Sequence, residues 1–173
     1  MIALDDLKAI CPTTKTGRLA LFLEPLIEAM REFEINTPAR QTQFLAQICH
    51  ESGGFNYVRE LASGAAYEGR KDLGNTEPGD GVRFKGRGLV QTTGRDNYRT
   101  CGDALGLDLL SQPELLEQPL HACRSAAWFW ASRGLNELAD KGEFVRITKR
   151  VNGGTNGIED RLAYLERAQA VYA

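Results

Sequence analysis

Residues 50–98 read HESGGFNYVRELASGAAYEGRKDLGNTEPGDGVRFKGRGLVQTTGRDNY, and the fold turns on this stretch. An apolar, helix-like run containing Phe44, Leu45, Ile48 and Cys49 leads into it and stops at Gly53 and Gly54, with Glu51 at its end. From Ser52 to Gly88 no helical period survives, and glycine, aspartate and asparagine are dense. A loop of this length inside a compact domain is usually functional. It carries two further carboxylates, Glu60 and Glu68, and ends in KGRGLVQTTG, where Gly88 to Thr93 is expected to form a short strand. In a strand Gln91 and Thr93 would share one face. Acid chemistry on a sugar needs one carboxyl partly sheltered from water, a second more exposed, and a polar cleft between them. This stretch offers all three.

Outward from the loop the pattern is helical. Leu19, Phe22, Leu23, Leu26, Ile27 and Met30 recur at three and four, an amphipathic helix bounded by Gly17 and Asn36. Thr37-Pro38 places an N-cap before a proline in the first helical position and opens the helix that ends near Glu51. Pro119 opens LHACRSAAWFWASR, a deeply buried helix ending at Gly134. A short helix near Leu135 follows, then Phe144 to Val151, closed by Asn152-Gly153-Gly154, and finally Ile158 to Tyr172. The expectation is a mainly α single domain over residues 1–173, with a long loop region at about 52–95 and at most a small β element.

The bulk numbers narrow the function classes. A net charge of −2 supplies no field to draw in nucleic acid. Arg83, Lys85, Arg87 and Arg95 cluster around the glycine stretch, as either a solvated face or a basic lip for an anionic glycan. The four cysteines have no CxxC spacing and no companion pair of histidines, so neither a metal site nor any other cofactor is expected. Cys49 reads as a small core residue. The N-terminus has acids where a signal peptide needs a basic region. The run LALFLEPLIEAM is interrupted by Glu24, Pro25 and Glu28 and is too short to span a bilayer. A cytoplasmic origin without disulfides is expected.

Individual residues sharpen this. Glu51 has Phe44, Ile48 and Phe55 as neighbours, which predicts a water-poor setting suited to a proton donor. Its place at a helix C-terminus is unfavourable for a negative charge. His50 beside it reads equally as a hydrogen-bond donor to substrate or as a structural group, and His121 reads as structural. Tyr57 and Tyr67 are candidates for stacking on a sugar face. Trp128 and Trp130, two apart on a helix, diverge by about 200° and read as core residues. The glycines at 86, 88 and 94 allow close backbone approach, but the stretch lacks the GxxxxGK[ST] pattern of a phosphate loop.

HESGGF, YEGR, KGRGLVQTTGRDNY and ITKRVNGGTNGIEDRLAY, in this order, resemble the phage and bacterial endolysins of the glycoside hydrolase family 19 type. These are chitinase-like members of the lysozyme superfamily, and the resemblance runs from about Gln43 to about Tyr164. It implies a lysozyme-like fold with Glu51 as general acid. Glu60 matches the base of the endolysin branch, while Glu68 lies nearer the base of the plant chitinases; Glu60 is the slightly preferred of the two. Thr93 falls where the family holds the attacking water, and Gln91 matches the glutamine of the same motif. Asn152 matches an asparagine that contacts substrate, and Arg161 an arginine that supports the carboxylates. The stretch before the GRG motif is shorter than in many family chitinases, which implies a more open groove for a bulky, peptide-bearing glycan. The expected function is that of an inverting endolysin cleaving β-1,4 bonds of peptidoglycan. A chitinase is the alternative, and a non-catalytic glycan-binding module is the alternative of another class. The implied setting is a monomer without a separate wall-binding domain. It would be made in a host cytoplasm, be released to the periplasm and wall at lysis, and depend on a holin-type membrane partner.

Overall fold

The computed structural model describes residues 1–173, and its regular structure is helical. The α-helices are α1 (Leu4–Ile10), α2 (Thr16–Glu32), α3 (Pro38–Glu51), α4 (Asp80–Arg83), α5 (Arg95–Leu105), α6 (Pro119–Ser132), α7 (Leu135–Asp140), α8 (Phe144–Asn152) and α9 (Ile158–Tyr172). Three 3-10 turns lie at Ala65–Tyr67, Lys71–Leu73 and Pro113–Glu117. No helix is long and apolar enough to cross a membrane.

Local chemistry explains most boundaries. The Thr37 hydroxyl accepts from the Arg40 N–H at 3.2 Å, with Pro38 in the first turn, so α3 starts where the capping signal put it. Helix α2 begins at Thr16 and runs through Gly17, the residue expected to bound it. A first-turn glycine breaks nothing, because the N–H groups there lack helical partners anyway. Pro25 also sits inside α2. Its missing N–H leaves the carbonyl of Leu21 unpaired, and Leu21 is exposed to water that can take its place.

Helix α3 runs through the core. Phe44, Leu45, Ile48 and Cys49 are fully buried together with Phe22 and Leu26 of α2 and Ala122, Ala126 and Trp130 of α6. The alanines let α6 lie close to α2. Phe44 meets Trp130 edge-on at 5.4 Å between ring centroids, and burying each such side chain contributes about 1.5–3 kcal/mol. All four cysteines are free and buried, so Cys49 is the core residue expected. Its thiol lies 3.3 Å from that of Cys11, and burial pushes it well above the usual cysteine range. A second apolar cluster, containing Phe84, Tyr98, Cys101, Leu105, Leu109 and Leu116, underlies the loop region.

The loop is held by polar stitches. Both oxygens of Glu68 accept from backbone N–H groups, of Gly79 and Gly81, at 2.8 Å each. The Asn75 side chain donates to the Tyr67 carbonyl and accepts from the Arg95 N–H. The buried Asp80 carboxylate takes both the Nε and Nη2 donors of Arg95, at 2.8 and 2.7 Å. That pairing holds Asp80 below its ordinary value of 3.8. Gly64, with φ 85°, and Gly81 lie back to back, where a Cβ on Gly64 would overlap the Gly81 carbonyl. The expected strand at Gly88 to Thr93 is not formed. Only isolated bridges join Arg59 to Arg87 and Arg87 to Thr92, and Gln91 adopts a left-handed φ of 55° that turns the chain.

Two outcomes follow for stability. Gly64→Ala will cost more than Gly69→Ala in urea unfolding: both glycines have positive φ, about 1–2 kcal/mol of strain for an alanine, but only Gly64 also meets backbone. Asp80→Asn will destabilise the protein by about 3 kcal/mol at neutral pH by removing the buried one of Arg95's two charge partners and leaving only the exposed Glu77. Because the Asp80 carboxyl is depressed on folding, its contribution is present above pH 3.8 and is lost as pH falls below that. Melting curves of variant and parent will therefore converge in acid.

Candidate active site

Glu51 is the last residue of α3, where the helix dipole is negative and a carboxylate needs a cation. Arg161 of α9 supplies it. This guanidinium is 1 % exposed and donates to Glu51 Oε1 at 2.6 Å, to Gln47 Oε1 at 2.6 Å and to the Asn156 carbonyl at 3.1 Å. Gln47 donates in turn to the Thr148 hydroxyl at 2.8 Å, and Thr148 to the Phe144 carbonyl. The setting of Glu51 is partly sheltered, and it includes a cation that the sequence reading of its apolar neighbours did not supply. Phe44, Ile48 and Phe55 are buried in the core, whereas residues 47 and 51, one turn apart, form a separate polar stripe along α3. The Glu51 side chain is 23 % exposed and is positioned by a charge rather than by hydrocarbon.

Asn152 emerges at the same end. Gln43 donates to the Ala139 carbonyl and Gln47 to Thr148, so α3 and the α7–α8 segment advance together. Asn152 follows Thr148 by one turn, as Glu51 follows Gln47, and it is exposed. His50 has a structural placement: its Nδ1 lies 2.7 Å from Asp160 Oδ2, and a Cβ on Gly157 would overlap its ring. His50 thereby props the start of α9, the helix that delivers Arg161. Tyr57 is half exposed. Its ring lies so close over Gly53 that a Cβ there would come within 2.9 Å of it.

Glu60 lies on an arm paired to the glycine stretch. Its N–H donates to the Gly86 carbonyl at 2.9 Å, and the Gly88 N–H donates to the Val58 carbonyl at 2.8 Å. The Gly86 N–H donates to Glu60 Oε1 at 2.7 Å, and the Tyr67 hydroxyl to Oε2 at 3.0 Å. Burial and then this bond push the Tyr67 phenol above 10, so it remains a donor at neutral pH. Tyr67 is therefore a hydrogen-bond partner of Glu60 rather than an open stacking platform. On its other side Gly86 faces Gln91 and Thr93: a Cβ would lie 2.6 Å from Gln91 Oε1 and 3.2 Å from Thr93 Oγ1. Glu60, Gln91 and Thr93 thus converge on one glycine. The two side chains share a face as expected, but through a turn and not a strand. Glu68 is not part of this group: its oxygens accept from the Gly79 and Gly81 N–H groups, away from Gly86.

The basic lip is largely internal. Arg87 is buried against Glu117 and Tyr98, Arg95 holds Asp80, and Arg83 caps the carbonyls of Leu110 and Ser111. Only Lys85 of the four makes no ion pair or side-chain bond of this kind. The opposite correction applies to Trp128. Trp130 is in the core, its Nε1 donating to Asn136, but Trp128 is partly buried and lines a cavity of about 160 Å³ with Gln91, Thr92, Thr93, Asn97 and Phe129. The 200° divergence of the two tryptophans was the signal: if one faces the core, the other faces away from it. Asn97, also missed, donates to the Thr93 carbonyl at 2.7 Å and holds the turn.

With this geometry, comparison with known proteins is decisive on family. The family model described as chitinase class I of glycosyl hydrolase family 19 matches residues 38–141. A Haemophilus influenzae protein described as a glycosyl hydrolase family 19 domain-containing protein is 34 % identical over 154 residues, covering 70 % of this chain and 74 % of its own. An Arabidopsis thaliana endochitinase is 38 % identical over 111 residues, covering 64 % of this chain and 38 % of its own. The chain spans less than half the length of that plant relative. A bacterial family 19 chitinase superposes with a TM-score of 0.82 at 22 % identity, covering 98 % of this chain and 94 % of its own. Chitinase C from Streptomyces griseus gives 0.81 at 22 % identity, with 98 % and 76 % covered. The chain belongs to glycoside hydrolase family 19 and has its lysozyme-like fold; it is a glycosidase.

Gly86→Ala will displace Gln91 and Thr93 together and lower turnover at least tenfold, while the melting temperature moves by only a few degrees; steady-state kinetics beside calorimetry will separate the two effects. Arg161→Met will lower stability by about 3 kcal/mol by stripping Glu51 and Gln47 of their shared donor, as measured by urea unfolding.

Proposed function

We propose that this glycosidase hydrolyses the β-1,4 bonds of bacterial peptidoglycan by general acid–base catalysis with inversion, with Glu51 as acid and Glu60 as base. The observation that carries the assignment of the base is the convergence of Glu60, Gln91 and Thr93 on Gly86. The Thr93 hydroxyl donates to the Gln91 carbonyl, so an attacking water would donate to Thr93 Oγ1 or Gln91 Oε1, on the glycine that also binds Glu60. Glu68, which holds Gly79 and Gly81, is the less favoured candidate for that role. Glu51 protonates the leaving oxygen as the bond breaks, and Glu60 takes a proton from the attacking water. Solvent then returns each carboxyl to its starting state. Tyr67 and the Gly86 N–H hold Glu60 in place, and Arg161 fixes the direction of Glu51. Asn152 and Tyr57 stand beside Glu51 as contacts for the glycan.

Peptidoglycan is favoured over chitin because the stretch before the GRG motif is shorter than in many family chitinases, which suits a strand that carries peptides. Chitin is the second reading, favoured by the plant and bacterial relatives described as chitinases. A glycan-binding module without turnover is disfavoured by two carboxylates that are each held by dedicated partners.

The test is a digest of purified peptidoglycan and of chitin oligomers, reduced with borohydride and read by mass spectrometry. Reduced muramic acid ends are expected from the parent enzyme. Products from chitin oligomers alone would replace this reading with the chitinase one. Glu51→Gln and Glu60→Gln should each lower turnover by at least about a hundredfold. Glu68→Gln should chiefly lower the melting temperature; a loss of turnover as large as that of Glu60→Gln would move the base to Glu68.

A further inference from the structure

The cavity of about 160 Å³ beside Gln91 and Thr93 has a cation at its mouth. Arg133, the residue after α6, lines it, and its guanidinium lies 3.7 Å from the centre of the Phe129 ring. Most other arginines near the loop region are spent on the fold: Arg87 on Glu117, Arg95 on Asp80, Arg83 on backbone carbonyls, Arg161 on Glu51. Arg133 makes no ion pair. Its sole side-chain hydrogen bond is a long one of 3.5 Å to the neighbouring Ser132 hydroxyl. The other polar lining groups, Gln91, Thr92, Thr93 and Asn97, are all neutral. Neighbouring groups partly desolvate the guanidinium and lower it from the ordinary arginine value, while the residue stays exposed and open to an incoming anion.

A neutral amino-sugar polymer offers such a cation nothing that a hydroxyl or amide would not. A muramic acid residue offers a carboxylate, either on its lactyl ether or on the peptide attached there. Stacking on Phe129 fixes the plane of the guanidinium and leaves its N–H edge free, the arrangement in which arginine binds a carboxylate through paired hydrogen bonds. We propose that Arg133 is a specificity-determining residue that binds a carboxylate of the glycan strand at this cavity and so selects muramic-acid-bearing strands over neutral ones. This rests on the reading of the groove as a peptidoglycan site, and it adds a named residue and a named group to it.

Binding tests this separately from turnover. Trp128, in the cavity wall, serves as the fluorescence reporter. Glu51→Gln protein is titrated with three ligands: the N-acetylglucosamine–N-acetylmuramic acid disaccharide with its free lactyl carboxylate, the same disaccharide bearing its peptide, and neutral chitobiose. The charged disaccharides should bind about tenfold tighter than chitobiose, the scale of one charge-assisted hydrogen bond, and the preference should shrink with added salt. Adding Arg133→Gln should remove the preference, adding Arg133→Lys should restore part of it, and Arg31→Gln, which lines a different cavity, should leave it intact. Tighter binding of the free lactyl form assigns the contact to that carboxylate; tighter binding of the peptide form assigns it to the peptide. Equal affinity for charged and neutral disaccharides, or a preference that survives Arg133→Gln, overturns the proposal. A parent enzyme that binds with this preference yet releases nothing from peptidoglycan would overturn the functional reading and leave the carboxylate site standing.

Discussion

A single buried guanidinium organises the catalytic end of this molecule. Arg161 lies at 1 % exposure, where an unpaired cation would be prohibitive. Three acceptors meet it, one from the side chain of Gln47, one from Glu51 and one from the Asn156 backbone. The arrangement ties α3 to α9, and through Gln47 and Thr148 it reaches α8. The same interaction resolves a local conflict, since a carboxylate at a helix C-terminus is disfavoured by the helix alone. The carboxyl proposed as the acid is thus also an acceptor that the fold needs.

The second carboxylate is held by a different principle. Glu60 accepts from a backbone N–H and a phenol, both neutral donors. One carboxyl faces a cation fixed by helices; the other faces dipoles fixed by a stitched loop. Two environments built from unlike materials are what an acid–base pair requires if its members are to play opposite roles. Gly86 is the hinge of the second environment. It donates to Glu60 on one side and, lacking a Cβ, admits Gln91 and Thr93 on the other.

The loop region shows why an irregular segment can still be precise. Glu68, Asn75, Asp80 and Arg95 replace the backbone ladder that a strand would have supplied. They consume the charges that look, in the linear chain, like a substrate-facing lip. Arginines close in sequence to glycines and carboxylates were read as solvent-facing, yet three of the four are committed to internal contacts. Which charges are spent and which are free depends on residues far away in the chain, such as Glu117 for Arg87.

What the sequence by itself determined is what depends on neighbours a few residues apart. It marked the Thr37-Pro38 start of α3, the apolar stripes of the long helices, the glycine stops after α6 and α8, the core role of Cys49 and the family motif order from HESGGF to VNGG. Periodicity and capping are local physics, so they survive without a structure. Tertiary structure alone decided that Glu51 meets Arg161 across 110 positions, that Glu68 clamps the loop while Glu60 faces Gly86, that Trp128 lines a cavity while Trp130 fills the core, and that Gln91 turns the chain instead of extending it. Each of these is a competition for a partner among groups distant in sequence, and only the packed fold brings the competitors together.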